Sequence, residues 1–253
     1  MLSSIKSLIT SIIFIALFIS GQTTYAEESF DWSGAYAGLS VGARKVDADW
    51  TTTTYLSPPG GTLPFFGDPS TTLQDTEPAI NGYVGYNWLS AYPNVVFGMD
   101  ANIGNANNNN KLIAIPGVFS TTSYITTDTS WNANLRGRLG YLLTPRLLFY
   151  GTAGAAVARI KSELVCPADT FVCNPAFGTT QNSRSNTMLG WTLGAGVETF
   201  LTENLQARIE YSYTDYGTMD FDVFPPNPVR TFGIKSEIQY TSQSVMFGIG
   251  YKF

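Results

Sequence analysis

Leu205-Gln206-Ala207-Arg208-Ile209-Glu210-Tyr211-Ser212-Tyr213 alternates without a break. Leu205, Ala207, Ile209, Tyr211 and Tyr213 fall on one face of an extended chain, and Gln206, Arg208, Glu210 and Ser212 on the other. A period of two is the period of a β-strand. Here the apolar face is continuous and aromatic, while the opposite face carries two full charges.

The same code recurs along the chain. Ala37, Leu39, Val41 and Ala43 oppose Tyr36, Gly38, Ser40, Gly42 and Arg44; Ile80, Val84, Tyr86 and Trp88 oppose Asn81, Tyr83 and Asn87. Val95, Phe97, Met99, Ala101 and Ile103 oppose Val96, Gly98, Asp100 and Asn102; Trp131, Ala133, Leu135, Leu139 and Tyr141 oppose Asn134, Arg136, Arg138 and Gly140. Leu147, Phe149, Ala153, Ala155 and Val157 face away from Tyr150, Thr152, Gly154 and Ala156; Leu189, Trp191, Leu193, Ala195 and Val197 face away from Gly190, Thr192, Gly194 and Glu198. Last, Val245, Phe247, Ile249, Tyr251 and Phe253 oppose Gly248, Gly250 and Lys252.

With 205–213, these segments make eight strands, an even number and the smallest for barrels that cross a membrane. A water-soluble sandwich also alternates, and the connections separate the two readings. Segments 47–76, 105–128, 160–186 and 217–238 are long, whereas 89–94, 142–146 and 201–204 are short. Long and short connections in strict turn are what long extracellular loops and short periplasmic turns produce. The expectation is an all-β fold, an eight-stranded antiparallel transmembrane β-barrel.

Aromatic residues sort accordingly. In that topology Trp32, Trp88, Tyr141, Phe149, Phe200, Tyr251 and Phe253 are expected at the periplasmic rim, and Trp131, Trp191, Tyr211 and Tyr213 nearer the outer interface. Rings at both membrane interfaces form two girdles.

The amino terminus reads as an export signal. Lys6, an apolar run from Leu8 to Phe18, and Ala26 before Glu27-Glu28 give the basic, apolar and small-residue parts of a signal peptide. Cleavage is expected between Ala26 and Glu27, leaving 27–253 as the barrel domain; a membrane-anchoring helix is the alternative reading of the apolar run. Without Lys6, 13 basic residues stand against 19 acidic, a net charge of −6 that favours no nucleic-acid partner. Charged residues are 13% of the chain, and aromatic residues 14%. That charge content is about half of what soluble domains carry, which suits a wall that meets lipid.

The chain has no histidine, which excludes a Ser-His-Asp triad and a His-liganded zinc site. No catalytic residue, cofactor or metal is expected, and the chain is not read as an enzyme. Cys166 and Cys173 are its two cysteines. A local disulfide is the default in an exported protein, with free thiols or a metal site as the alternatives.

Arg44, Asp100, Arg136, Arg138, Glu198, Arg208, Glu210 and Lys252 are the charges on the inner faces. Eight strands leave an interior about filled by side chains, so these groups must meet. The expected arrangement is a salt-bridged plug, and a narrow ion path is the alternative. Thr-, Asn-, Pro- and Gly-rich loops are solvated surface segments. Phe65, Phe66, Phe171, Phe177, Phe221 and Phe224 are the apolar residues that those loops could turn either toward one another or toward a partner.

Several blocks carry a resemblance. Phe30-Asp31-Trp32-Ser33-Gly34-Ala35-Tyr36-Ala37-Gly38, Gly85-Tyr86-Asn87-Trp88, Leu135-Arg136-Gly137-Arg138-Leu139-Gly140-Tyr141, Glu210-Tyr211-Ser212-Tyr213-Thr214-Asp215-Tyr216-Gly217 and Gly250-Tyr251-Lys252-Phe253 look like blocks of the small porin-like outer-membrane barrels of alphaproteobacteria. That family includes surface antigens and hemin-binding proteins, with a barrel design related to the transmembrane part of OmpA. The resemblance implies the cell outer membrane, contact with its lipid and lipopolysaccharide, and a structural, loop-displaying role. It leaves open a passive narrow porin, or hemin or host-surface binding through loops. Hemin would need Tyr or Met as axial ligand here. Ile249, Tyr251 and Phe253 resemble the terminal signal read by the outer-membrane assembly machinery. The barrel is expected to be a monomer.

Overall fold

The computed structural model describes residues 30–57, 61–92, 94–105, 110–113, 115–117, 124–166, 180–224 and 233–253. The signal segment with its Ala26–Glu27 junction lies outside the described residues, as do Phe171, Cys173 and Phe177. So does the pairing of Cys166 with Cys173, although the backbone of Cys166 closes a strand.

The described residues form ten strands and no helix. In chain order they are β1 (Gly34–Ser57), β2 (Gly61–Thr62), β3 (Ser70–Leu89), β4 (Val95–Asn105), β5 (Asn110–Ile113), β6 (Tyr124–Thr144), β7 (Leu147–Cys166), β8 (Thr180–Phe200), β9 (Leu205–Phe224) and β10 (Gly233–Lys252). Eight of them build one antiparallel sheet that closes on itself, because β10 pairs with β1 from Tyr36↔Lys252 to Leu56↔Gly233. β2 folds back on the end of β1, and β5 pairs with β6. Closure leaves the membrane-level ladder without an edge, the condition for strands in hydrocarbon.

The register fixes the barrel's shape. Partners run from Tyr36 through Gly85, Asp100, Arg136, Gly154, Thr192, Thr214 and Ser242 back to β1 at Val46. One circuit therefore climbs ten residues of β1 (46 − 36). With about 3.3 Å per residue and 4.8 Å between strands, that shear tilts the strands about 41° and gives a radius of about 8 Å. The interior is then just wide enough for side chains to fill.

Each assigned face is as the alternation reads. Leu39, Ile80, Val84, Phe97, Ile103, Leu135, Leu139, Leu189, Leu193, Phe247 and Ile249 all stand exposed on the outside. Ser40, Arg44, Asn87, Asp100, Arg136, Arg138, Thr152, Thr192, Glu198, Gln206 and Arg208 are buried inside. Short turns close the periplasmic end. Leu147 N–H donates to Thr144 Oγ1 at 3.1 Å and Leu205 N–H to Thr202 Oγ1 at 3.0 Å, so a threonine hydroxyl holds each of two turns.

Two sequence expectations need correcting. The strands run far into the segments read as loops: 47–57, 70–76, 124–128, 160–166, 180–186, 217–224 and 233–238 are strand. At the outer boundary the alternation does not stop; it changes sign. In β1, Lys45, Asp47 and Asp49 take the outward places, while Val46, Ala48 and Trp50 turn in and are buried. In β7, Arg159 and Lys161 point out, with Ala158 and Ile160 inside; in β10, Lys235 and Glu237 point out, with Ile234 and Ile238 inside. Each residue lifts the chain by about 2.5 Å along the axis, so 20 residues climb about 50 Å, twice the apolar band of about 25 Å. The upper half of the barrel stands in water outside the membrane and has the pattern of a soluble barrel.

The rim also differs from the sequence expectation. Trp32 and Phe200 do not join the lipid-facing girdle. Trp32 is 1% exposed, donates from its indole N–H to the Pro145 carbonyl at 2.9 Å and packs edge-on to Phe200, with ring centroids 4.5 Å apart. The residues before β1 turn under the barrel and plug its mouth. Trp88, Tyr141, Phe149, Tyr251 and Phe253 remain exposed on the outer wall.

Candidate functional site

The lumen is built in layers, and the sequence dictates each through its inward positions. Lowest is the apolar mouth plug of Trp32, Val96, Leu148, Tyr150 and Phe200, backed by Phe30 and Leu142. Beside it, Lys252 Nζ reaches Asp31 Oδ2 at 3.5 Å. Burial works against ionisation of Asp31, but its hydrogen bonds from Ser33 and the nearby Lys252 charge outweigh that and hold the carboxyl below its ordinary range.

Above the plug lies the charged layer. Arg136 is 2% exposed and binds two carboxylates at once. Its Nε and Nη2 donate to Asp100 at 2.8 and 3.0 Å, and its Nη1 and Nη2 to Glu210 at 2.7 and 3.2 Å. Tyr150 donates its hydroxyl to Glu210 at 2.9 Å. Arg138 pairs with Glu198, donates to the Tyr36 hydroxyl at 3.2 Å and stacks over the Tyr150 ring at 3.8 Å. Arg208 lies 3.4 Å over the Tyr83 ring, donates to Asn102 at 3.2 Å and approaches Asp100 at 4.0 Å. Three arginines thus face three carboxylates, and the layer is formally neutral. Fork-to-fork pairing and aromatic stacking are the geometries that suit buried guanidinium groups.

Six of the eight inner-face charges come together here. The other two do not. Lys252 stays at the periplasmic mouth, and Arg44 sits higher, with its Nη2 3.3 Å from Asn81 Oδ1 and β3 residue Glu77 directly opposite in register. Glu77 is buried and lies between the segment read as loop and the alternating run that starts at Ile80, so no alternation marked it as inward-facing.

The tyrosine partners were also missed, yet a signal for them exists. Tyr36, Tyr83 and Tyr150 each face a glycine on the next strand: Gly85, Gly38 and Gly196. The rings lie flat across those positions; a Cβ at Gly196 would sit 2.7 Å from Tyr150 Cζ. Glycine opposite an inward tyrosine lets the ring fold down onto the sheet and under an arginine.

Over the charges comes a band of small polar groups. Ser212 and Ser244 share a hydrogen bond of 2.8 Å, Thr214 donates to Thr192 at 3.0 Å, and Asn102 donates to Asn134 at 3.0 Å. Asn81, Asn134 and Ser212 point inward but are only half-buried, so they border internal space between the closed layers. The top layer is apolar. Ala48, Trp50, Tyr55, Ile160, Met188 and Ile238 are among its members, and Ile115, from the segment between β5 and β6, caps it. Thr52 fixes that cap by donating to the Pro116 carbonyl at 2.7 Å.

Outside, the residues of the expected assembly signal end β10. Ile249, Tyr251 and Phe253 stand in one exposed outward line, and Phe253 N–H donates to the Ala35 carbonyl at 3.0 Å, pinning the terminus at the β10–β1 seam.

Comparison with known proteins agrees with this architecture. The sequence model of the outer membrane protein beta-barrel domain matches residues 12–253. The 22 kDa outer membrane protein of Rhizobium leguminosarum bv. viciae is 33% identical over 171 residues, covering 68% of this chain and 64% of that protein. The chain therefore spans slightly less than two thirds of that relative. The 31 kDa outer-membrane immunogenic protein of Brucella melitensis is 27% identical over 245 residues, 92% of this chain and 89% of that protein. Among solved structures, the outer membrane protein OprG from Pseudomonas aeruginosa shares the fold with a TM-score of 0.57 at 14% identity, over 87% of this chain and 97% of that one. The chain belongs to the family of outer-membrane proteins with a β-barrel domain, and its place is the cell outer membrane.

Proposed function

We propose that this barrel is a sealed, non-catalytic wall element that supports the envelope and holds its outer loops above the membrane surface. The observation that carries this reading is the layering of the lumen. A conducting pore needs a continuous wet path. Here a neutral, internally bonded charge layer lies between two apolar layers, and Leu148, Tyr150 and Arg136 are almost untouched by water. An ion entering would have to part Arg136 from both carboxylates or cross the apolar cap, and either is costly.

The upper half supports the display role. A barrel that only closed a hole in lipid would need no strands of 20 to 24 residues. The relatives named for immunogenicity are consistent with a family whose outer parts are accessible at the cell surface. Contact with lipid and lipopolysaccharide along the outer wall, and recognition of the terminal aromatic by the assembly machinery, complete the proposal.

The experiment is single-channel conductance and liposome swelling on refolded protein, with a heat-shifted gel band to certify folding. A folded barrel should be electrically silent and leave swelling at the level of empty liposomes. Steady conductance sensitive to neutralising Arg136 or Glu210 would overturn the reading in favour of a narrow porin.

A further inference from the structure

The step from lipid to outer water is not charged alike all round the wall. Three of the outward residues that first follow the apolar band carry charge: Lys45 in β1, Arg159 in β7 and Asp215 in β9. Lys45 is already committed, because its Nζ lies 2.9 Å from Asp47 Oδ1. Asp47 and Asp215 flank Thr241 in one register row, so the sector of β9, β10 and β1 is acidic. Arg159 stands on the opposite side, since β7 is four strands from β1 in either direction round the eight-stranded circuit. It is exposed, and its Nε donates to Ser185 Oγ at 3.1 Å. Its two terminal nitrogens have no partner among the described residues. Thr187 is its register neighbour on β8 and, like Ser185, is exposed. Lys161, the next outward residue of β7, lies 3.7 Å from Glu163 and has Asp128 as register partner, so it adds little net charge. The cation open to a ligand is the Arg159 guanidinium.

Below Arg159 the same face of the same strand is hollow. Gly151, Ala153 and Ala155 point to lipid between Leu135 and Leu139 of β6 and Trp191 and Leu193 of β8, all four of them exposed. A Cβ at Gly151, or at Gly137 beside Ala153, would meet nothing closer than 3.8 Å. The inward Gly154 and Gly190 differ, because a Cβ there would run into the backbone of the next strand. The protein's own packing therefore does not require the outward glycines. From Gly151 to Val157 the trough climbs about 15 Å, at about 2.5 Å per residue. Trough and guanidinium project from one face of the wall and form one surface, with hydrocarbon at its lower end and water at its upper end.

We infer that this sector of β6, β7 and β8 binds one lipid A of the outer leaflet, with a phosphate on Arg159 and an acyl chain along β7. The inference rests on the lipopolysaccharide contact proposed above and gives it a site. Topology selects the leaflet, because Arg159 lies at the long-loop, extracellular end of the apolar band, where lipopolysaccharide takes the place of phospholipid. Charge selects the group. A guanidinium offers phosphate a planar fork, and the Thr187 and Ser185 hydroxyls add donors beside it. On the far side of the rim, Asp47 and Asp215 turn an anion away.

The test is native mass spectrometry of the folded barrel in detergent, offered equal amounts of diphosphoryl lipid A, dephosphorylated lipid A and phosphatidylglycerol. A heat-shifted gel band certifies the fold of each variant. One diphosphoryl lipid A per barrel should survive gentle activation, about tenfold more abundant than either competitor, which is the worth of one charge-assisted hydrogen bond. Arg159→Gln, at an exposed position above the apolar band, should bring diphosphoryl lipid A down to the dephosphorylated level. Lys45→Gln, whose charge is already paired, should leave that preference as it is. Ala153→Phe fills the trough from the lipid side and should lower both forms of lipid A about tenfold. An unchanged phosphate preference in Arg159→Gln, or an equal fall in Lys45→Gln, would overturn the phosphate site. Phosphatidylglycerol held as well as lipid A would overturn the assignment to lipopolysaccharide, and unchanged retention by Ala153→Phe would overturn the trough. Adduct mass does not depend on conductance. A barrel that conducts yet holds lipid A refutes the sealed wall alone, and a silent barrel that holds none refutes this site alone.

Discussion

Replacing Arg136 with Met tests whether the lumen is dry. Methionine follows the arginine stem about as far as Nε and donates nothing, so Asp100 and Glu210 each lose a bidentate partner. Asp100 keeps the Asn102 amide at 3.1 Å and Arg208 at 4.0 Å, and Glu210 keeps the Tyr150 hydroxyl at 2.9 Å. The layer goes from three charges of each sign to an excess carboxylate. At an effective dielectric of about 20, each lost contact between charge centres about 4 Å apart is worth about 4 kcal/mol gross. Removing the buried guanidinium also removes its own desolvation cost, which brings the expected net loss to about 3–5 kcal/mol. The double variant Arg136→Met, Glu210→Gln restores balance, two charges against two, and should recover about 1–3 kcal/mol of that loss. Urea titrations of the barrel refolded in vesicles, followed by tryptophan fluorescence and gel mobility, measure both. A single-variant loss below about 1 kcal/mol would mean that water already solvates these carboxylates, and the sealed lumen would fall with it.

Leu193 stands 50% exposed near the middle of the apolar band, and Leu193→Arg should cost about 2–4 kcal/mol in the same titration; an unchanged midpoint would refute its placement in hydrocarbon. Deleting Phe253 removes the backbone bond to Ala35 and the last outward ring. Assembly in cells, followed by pulse-chase and heat-shifted mobility, should slow severalfold while refolding in detergent stays nearly normal, and equal assembly rates would refute the signal role.

The membrane half of this barrel was legible because hydrocarbon and lumen ask for opposite residue types. Leu205 to Tyr213 shows the contrast at every step, so strand number, faces and inner-face charges follow from alternation. The upper half was not legible for the same reason. Past Arg44 the residues Lys45 to Trp50 still alternate, but with the polar side outward, and a reader looking for apolar-outward strands sees a loop. Trp32 and Phe200 misled because an aromatic near a rim fits either a girdle or a plug, and alternation cannot say whether the chain beyond the strand turns under the barrel. The charge layer's pairings depended on the circuit of ten residues, which brings Arg136 to both Asp100 and Glu210 although neither is near it in sequence.

The sign change along the strands that continue above the membrane also works as a depth gauge. If the barrel slid outward by one pair of residues, about 5 Å, a ring of eight lipid-facing side chains would enter water at about 1 kcal/mol each. Sliding inward by the same step would draw Lys45, Arg159 and Asp215 into hydrocarbon, against a penalty that steepens with depth. Vertical position is thus written into the wall itself and needs no anchor. Loops at the top can change length or composition freely, because nothing in them decides how high the molecule floats.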